Sequence, residues 1–308
     1  MKKKYIIWVL CVFSASYLSA QKSLLEDDEP TTTVLNTRVR DTYKSTRVIN
    51  SHSVEVLDKR YIDVRIAHRF GDISGGWNTV LGLENASDIS LGVEYGVSNR
   101  FMLGLYRTKG SSEQRALMNL FGKYRLLWQT DDNKMPLSIS GLGQITYSSM
   151  AKSSTSGTLA SFDNGMVDRF NYVAQLMFAR KFSKAFSLQL NTTFLHRNLV
   201  DNKDQNNMLA IGLASRFQMS TEFAIILDAA MPISSYRTTD NGYYLPLGIG
   251  LEWTTGGGHV FQLNFTNTQG LTEMDFLANS KSDWFKGDFR LGFTISRHFF
   301  VAPKKAKH

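Results

Sequence analysis

The chain is poor in cysteine and proline, and this shortage excludes several kinds of chemistry. Its 308 residues include one Cys and five Pro. Cys11 lies in the apolar start of the chain, so the residues after Ala20 contain no thiol and can form no disulfide. A chain of this length buries enough surface to fold without disulfides, even after export to an oxidising compartment.

Long apolar runs and a strong excess of one charge are also missing. After residue 20, no segment approaches the ~18 consecutive apolar residues of a transmembrane helix. Residues 1–20 carry three Lys and no acid, so the rest of the chain has 32 Lys and Arg against 27 Asp and Glu. This mild basic excess gives no reason to expect nucleic acid as a partner.

The two ends of the chain differ from the segment between them. Residues 1–20, MKKKYIIWVLCVFSASYLSA, combine a basic start, a short apolar core and a small-residue end, which predicts a cleavable secretory signal peptide. Residues 21–51 are polar and have no period, and we expect them to form a polar N-terminal arm in the periplasm. Residues 301–308 are expected to form a basic C-terminal tail, which leaves residues 52–300 for a single domain.

Apolar and polar residues alternate in that domain. In LMNLFGKYRLLWQ, residues 117–129, the row from Met118 to Trp128 is apolar, whereas Lys123 and Arg125 lie in the other row. A period of two predicts strands with two different faces. Twelve segments show it: residues 61–68, 88–95, 101–107, 118–128, 137–147, 170–178, 186–194, 209–217, 223–229, 245–253, 261–265 and 289–295. Pro246 cannot donate to a ladder, so the tenth strand is expected to start at Leu247.

The connections between these segments alternate in length. Five are tight, among them residues 97–100 and 219–222, and the long ones include residues 148–167 and 270–286; only residues 108–113 are short where a long loop is expected. This alternation predicts an all-β fold, an antiparallel transmembrane barrel of about 12 strands in an outer membrane, with short periplasmic turns and long extracellular loops. A soluble exported β-sandwich, the alternative, has no reason to sort its loops. The expected partners are outer-membrane lipid, the barrel-insertion machinery and a small solute or ion.

Nine charged residues fall on the polar face of these strands. Two interpretations stay open: a packed polar plug of paired charges, which we favour, and a lining that selects ions. Twelve strands lie between filled eight-stranded barrels and open 16-stranded porins. The nine are Asp63, Arg65, Glu94, Lys123, Arg125, Arg216, Asp228, Glu252 and Arg290.

Catalytic and cofactor motifs are weak. His68 and His196 end upward-running strands and are expected near the outer rim, where a barrel hydrolase could use them, but no Ser-His-Asp spacing accompanies them. The six His show no H-x-x-x-H spacing, and the glycine clusters at residues 75–76 and 256–258 do not sit between a strand and a helix. We therefore expect no enzyme activity, no metal and no cofactor.

Four stretches resemble an uncharacterised family of outer-membrane β-barrels that is known as a domain of unknown function. They are STRVINSHSVEVL (residues 45–57), DVRIAHRFG (63–71), ISLGVEYGVSNRFMLGL (89–105) and GKYRLLWQ (122–129). The resemblance implies the barrel and its location. It implies no established reaction and no catalytic residues.

Three functions follow from this prediction. The first is a narrow channel or small-solute-binding barrel without catalysis. The second is a structural or assembly platform in the outer membrane for a protein partner, and the third is a barrel enzyme with a site at its rim. The sequence leaves the solute, the protein partner, the oligomeric state and the opening of the lumen undecided.

Overall fold

Twelve antiparallel strands close into one barrel. The structure is a computed structural model that describes residues 38–109 and 114–302, so the predicted signal peptide, the first part of the arm and residues 303–308 of the tail lie outside the described residues. Each strand pairs with its neighbours in sequence, and β12 pairs with β1. The strands are β1 Tyr61–Asp72, β2 Ala86–Gly96, β3 Phe101–Lys109, β4 Leu117–Leu127, β5 Ser138–Ser148, β6 Phe170–Lys181, β7 Phe186–Arg197, β8 Asn207–Gln218, β9 Phe223–Ile233, β10 Leu247–Thr254, β11 His259–Thr266 and β12 Arg290–Phe300.

The prediction of a twelve-stranded antiparallel barrel is confirmed. Each predicted segment overlaps one observed strand, and β10 begins at Leu247 as expected. Pro246 precedes it and contributes only its carbonyl oxygen, which accepts Ala230 N at 2.9 Å. In residues 38–109 and 114–302, helix is confined to α1 Glu273–Phe276 and to 3-10 turns at Ile73–Thr79, Val167–Arg169, Thr239–Asn241 and Trp284–Lys286. Within the described residues, no helix is long and apolar enough to cross a membrane.

The strands carry their apolar residues on the outside of the barrel. In β4, Leu120 is 51% exposed, whereas Lys123 is fully buried. This arrangement is the reverse of a water-soluble sandwich, and it suits a wall that meets lipid outside and polar groups inside. The alternation also answers why Lys123 and Arg125 stand between apolar neighbours: both point into the barrel.

The connections define two ends of the barrel. We call the end with the connections β2–β3, β4–β5, β6–β7, β8–β9 and β10–β11 the short-turn end, and the opposite one the long-loop end. Aromatic rings pack side by side between neighbouring strands near both ends. Trp253 lies 5.4 Å from Phe261 at the short-turn end, and Tyr147 lies 5.2 Å from Phe170 at the long-loop end. Aromatic residues at these two levels are typical of membrane barrels.

Residues 42–54 form a hairpin inside the barrel, which we call the lumen hairpin. Arg47 and His52 pair across it, and Val48 N donates to Ser51 O at 2.9 Å to close its tip. Twelve backbone ladders surround it, and of its residues only Lys44 and Arg47 are half-buried while the others are buried.

The lumen hairpin enters and leaves at the short-turn end. Before it, Val39 N donates to Gln129 O at 2.9 Å in the β4–β5 turn. After it, Arg60 N donates to Gly96 O at 2.8 Å beside the β2–β3 turn. The hairpin tip therefore points toward the long-loop end.

This hairpin differs from the polar arm predicted over residues 21–51. The described part of that segment is residues 38–51, and from Thr42 onward it lies within the barrel. The strands begin only at Tyr61, so residues 52–60 complete the hairpin and its exit and do not form barrel wall. The physical reason is that the wall side chains supply hydrogen-bond partners to a hairpin whose own backbone pairing is short.

The last long connection folds inward from the opposite end. We call residues 267–280 the inner loop; they include α1, and most of them are buried. Thr268 Oγ1 of the inner loop lies 3.2 Å from Asn50 Oδ1 of the hairpin tip. The hairpin and the inner loop thus meet inside the barrel.

Candidate functional site

Lys123 of β4 binds the backbone of both arms of the lumen hairpin. Its Nζ lies 3.0 Å from each of three carbonyl oxygens, those of Thr46, Ser53 and Glu55. An ammonium group has three donors, so the hairpin and the residue that follows it, Glu55, use all of them. The side chain is fully buried, and the hairpin backbone, rather than a carboxylate, provides its direct contacts.

Asp228 of β9 binds the tip of the hairpin with the opposite charge. Its Oδ2 accepts Asn50 N at 2.7 Å and Ser51 N at 2.8 Å, and its Oδ1 accepts Ser51 Oγ at 2.8 Å. Two successive backbone N–H groups form a concave anion site, which this carboxylate fills. A wall cation therefore holds carbonyl groups of the hairpin and a wall anion holds its N–H groups.

Glu55 closes the base of the hairpin. Its Oε1 accepts Thr42 N at 3.0 Å and Tyr43 N at 3.2 Å, and its Oε2 lies 2.8 Å from NH2 of Arg125 on β4. A single carboxylate thereby joins the incoming arm, the outgoing arm and the wall. Because one partner is a buried guanidinium, these are charge-assisted bonds.

The remaining predicted charges on β1, β2, β8 and β10 also meet partners inside the barrel. Arg65 NH2 lies 2.8 Å from Asp63 Oδ2 and donates to Thr46 Oγ1 at 2.8 Å. Thr46 Oγ1 in turn donates to Glu94 Oε2 at 2.6 Å. On the other side of the lumen, Arg216 Nε lies 2.7 Å from Glu252 Oε1. Buried charges arranged in this way neutralise each other and leave little fixed charge for passing ions.

Arg290 is the ninth predicted residue and lies apart from the hairpin. It is half-buried at the start of β12, at the long-loop end. Its NH1 donates to Ser282 Oγ at 2.7 Å, and its NH2 lies 3.4 Å from Asp72 Oδ2. Eight of the nine predicted residues are thus buried along the lumen, and Arg290 lines its mouth.

The hairpin and the inner loop meet at a second charged cluster. Glu273 of α1 is fully buried, and its Oε1 accepts Arg47 NH1 at 3.1 Å. Its other oxygen accepts Gln144 Nε2 of β5 at 3.0 Å. His52 Nε2 lies 3.6 Å from the same Glu273 and 2.8 Å from Arg47 NH2. The inner loop is therefore tied both to the hairpin and to the wall.

A cavity of about 300 Å³ remains above this cluster at the long-loop end, and we call it the vestibule. A separate cavity of about 160 Å³ lies at the short-turn end, and the two share no lining residue. Lining the vestibule are Gln114, Leu159, Arg197, Leu199, Asp201, Asp204, Tyr236, Tyr243, Asn267, Gln269, Gly270, Met274, Asp275, Asn279, Lys281, Ser282 and Arg290. The hairpin and the inner loop lie between the two cavities.

One wall of the vestibule is organised by Asp204, in the loop after β7. Its carboxylate lies 2.6 Å from Arg237 NH2 and 2.8 Å from Arg197 NH2. Burial raises the pKa of Asp204, but hydrogen bonds from Arg237 and the charge of Arg197 outweigh burial, so the net pKa lies below its usual value. Arg237 Nε also donates to Ala278 O at 2.8 Å, which fixes the inner loop to this wall.

Neither of the two candidate catalytic histidines faces the lumen. His68 belongs to the outward row of β1 with Val64 and Ile66, and its ring packs 5.5 Å from that of Phe293. His196 belongs to the outward row of β7, where Asn207 Oδ1 lies 2.6 Å from its Nδ1. Across the described residues, no group of three or more His, Cys, Asp and Glu could hold a metal ion.

Several residues of the site were missed by sequence reasoning. Arg69 of β1 is buried and donates to Asn264 Oδ1 at 2.7 Å and to Asn50 Oδ1 at 2.8 Å. Extending the odd-numbered row of β1 beyond Arg65 would have found it. The hairpin residue Arg47 and the inner-loop residue Glu273 lie in segments without a period, so no strand pattern could identify them.

Solved structures of similar overall form are outer-membrane barrels at low sequence identity. The KdgM porin has 9% identity and a TM-score of 0.47, covering 79% of this chain and 99% of that one. The NanC porin has 9% identity and a TM-score of 0.46, covering 78% and 100%. Omp33 of Acinetobacter baumannii has 8% identity and a TM-score of 0.44, covering 78% and 99%. These similarities describe form and carry no functional argument.

The sequence itself matches a family model over most of its length. No curated protein matches this chain. The family model covers residues 43–299, so it includes the lumen hairpin except Thr42 and all twelve strands except the last residue of β12. The chain belongs to the family described as membrane bound beta barrel domain (DUF5777), as its sequence resemblance predicted.

Proposed function

We propose that this protein is a non-enzymatic outer-membrane barrel that takes up a small solute in its vestibule and is closed to free diffusion in its resting state. One observation carries the proposal: the lumen hairpin and the inner loop meet inside the barrel and separate two cavities. An open porin would have one continuous lumen, whereas a filled barrel of this kind holds its solute at one end.

The wall charges support a closed resting state. Lys123 and Asp228 bind the hairpin directly, at 2.7–3.0 Å, and Arg125 binds Glu55 just after it at 2.8 Å. In this proposal the predicted lumen charges serve to hold the hairpin rather than to line an ion path. The buried backbone groups of the hairpin need such partners, because an unpaired buried group costs about 1–3 kcal/mol.

The outer membrane is the proposed location. The exposed apolar face of the strands suits lipid, and the sorted connections suit a wall whose long loops face outward. The lysine-rich start of the chain is the proposed export signal. Outer-membrane lipid and the barrel-insertion machinery remain the proposed partners of the wall.

Liposome swelling tests the closed state. Vesicles that contain residues 21–308 are transferred into iso-osmotic solutions of uncharged solutes of increasing size, and vesicles with an open porin provide the reference rate. We expect swelling close to that of protein-free vesicles for every solute. Rapid, size-graded swelling would overturn the proposal, because it would require a continuous open lumen.

A further inference from the structure

We propose that the vestibule binds an uncharged, polyhydroxylated solute no larger than a disaccharide. This inference deepens the proposed function, since it names the class of solute for the same cavity. It depends on the charge balance of the vestibule, its size, the donors and acceptors around it, and the two tyrosines in its wall.

The charges around the vestibule are balanced. Among the described residues, its lining holds three basic residues and three acidic residues. Asp204 is held between Arg197 and Arg237, and Arg290 faces Asp72, so three of these six charges are already matched by ion pairs. A ligand with a net charge would meet repulsion from one half of this lining. For an uncharged ligand, the basic residues of the lining serve as hydrogen-bond donors and the acidic residues as acceptors. The three bases are Arg197, Lys281 and Arg290, and the three acids are Asp201, Asp204 and Asp275.

Uncharged polar groups complete the lining. Gln269, Asn279 and Ser282 offer amide and hydroxyl groups, each with donor and acceptor capacity. A hydroxyl group likewise donates one hydrogen bond and accepts others, so a solute with many hydroxyls matches a wall of mixed donors and acceptors. The volume of about 300 Å³ lies at the lower end of the range for small-molecule sites, about 300–1,000 Å³, which sets the upper size.

Tyr236 and Tyr243 give the vestibule its aromatic surface. Their ring centroids lie 5.7 Å apart with the planes tilted by 55°. Lys281 Nζ lies 5.6 Å from the centre of the Tyr243 ring, which places a cationic donor beside that ring. A tyrosine combines a flat apolar body with a hydroxyl group, and a sugar ring, with one C–H face and a rim of hydroxyls, has the complementary surface.

The vestibule also contacts the inner loop that meets the hairpin. Met274 and Asp275 of α1 line the cavity, and the preceding residue, Glu273, binds Arg47 of the hairpin. A solute in the vestibule would therefore touch the element that closes the lumen. Most lining residues are buried or half-buried, while Asp201, Asn279 and Lys281 are exposed, and the lining comes from both the wall and the inner loop.

Isothermal titration calorimetry tests the solute class with two probes of similar size. Lactose is an uncharged disaccharide, and lactobionate is its oxidised form, in which the glucose unit is an open chain that ends in a carboxylate. Residues 21–308 are purified in a zwitterionic detergent without sugar head groups, because glycoside detergents would compete. We expect saturable binding of lactose and at least tenfold weaker binding of lactobionate.

Two variants locate the binding. Tyr243→Leu removes a ring and a hydroxyl from the vestibule and should weaken lactose binding at least tenfold. Tyr124→Leu makes the same change on the outward face of β4 and should leave lactose binding unchanged. Lactose binding that is equal in both variants would place it elsewhere and overturn the inference.

The remaining outcomes separate this inference from the proposed function. Stronger binding of lactobionate than of lactose would refute the uncharged class but leave a solute-binding closed barrel in place. No heat with either probe would overturn the solute class, while the swelling experiment would still decide independently whether the barrel is closed.

Discussion

Replacing Lys123 by methionine should loosen the lumen hairpin. Methionine has similar length but no donor, so the carbonyl groups of Thr46, Ser53 and Glu55 lose their ammonium partner. The carbonyl of Thr46 still accepts a hydrogen bond from Ser53 N at 2.9 Å. Only the carbonyls of Ser53 and Glu55 are therefore left without a partner. An unsatisfied buried acceptor costs about 1–3 kcal/mol, so the docked hairpin should lose about 2–6 kcal/mol. That range corresponds to a roughly 30- to 20,000-fold shift toward the released hairpin.

Hydrogen–deuterium exchange measures this shift directly. The backbone N–H groups of Val48 and Ser53 are bonded within the hairpin and should exchange slowly in the unaltered protein. In Lys123→Met, peptides that cover residues 42–54 should exchange at least about 30-fold faster, as the lower limit above requires. Peptides from the barrel strands should keep their protection, because the wall ladders are unchanged.

A matched variant separates the local effect from a general one. Lys184→Met removes an exposed lysine from the β6–β7 connection, far in sequence from the hairpin and without contact to it in the described residues. It should exchange like the unaltered protein. If residues 42–54 exchange equally slowly in Lys123→Met, the three bonds to Lys123 do not hold the hairpin and the reasoning fails.

Three further predictions address the tip, the outer wall and the vestibule. Asp228→Asn replaces the carboxylate that accepts a hydrogen bond from Ser51 N with an amide that can also donate. Hydrogen–deuterium exchange at residues 48–51 should then rise, while exchange at the base of the hairpin should change less. Unchanged exchange at the tip would refute the role of Asp228 in holding it. Leu120→Arg places a charge on the outward face near the middle of β4 and should destabilise the barrel by about 2–4 kcal/mol, measured by urea titration in phospholipid vesicles; an unchanged midpoint would argue that this face does not meet lipid. Arg237 and Arg197 lower the pKa of Asp204 in the folded protein, so the ionised carboxylate should contribute its full stabilisation above the usual pKa of about 3.9. That stabilisation should be lost only as pH falls through the lower pKa of the folded protein. Hydrogen–deuterium exchange of residues 198–206, corrected for its intrinsic pH dependence, should therefore rise in that lower pH range and not near pH 5.

The barrel could be predicted from the sequence because its strands obey a period of two. Lys123 and Leu120 fall in opposite rows of one strand, and that alone indicates that one faces inward and the other outward. Turn lengths added the direction of each strand. Both signals are local in sequence, so they can be recognised without knowledge of the tertiary contacts.

The contents of the barrel could not be predicted in the same way. Lys123 binds a carbonyl of Thr46, 77 residues away in sequence, and Arg47 binds Glu273, 226 residues away. The hairpin and the inner loop have no period, because their partners are side chains of the surrounding wall rather than neighbouring strands. Their sequences therefore indicated a periplasmic arm and an extracellular loop, and left open whether that loop folds inward.

The vestibule could not be predicted from the sequence either. Arg290 was placed on the inward face of its strand by the alternating pattern, but Asp204 and Tyr243 come from loops that carry no pattern. Only the fold brings these three residues together at the long-loop end of the barrel. Residue types that suit a solute site are common in loops, so their sequence alone could not distinguish a cavity lining from an exposed surface.

Single-channel conductance of residues 21–308 in a planar bilayer tests the central claim most directly. The account predicts a folded, inserted protein that is silent or nearly so, and the same preparation of Lys123→Met should show openings as the hairpin is released. Steady openings of the unaltered protein, equal to those of Lys123→Met, would contradict a lumen closed by the hairpin.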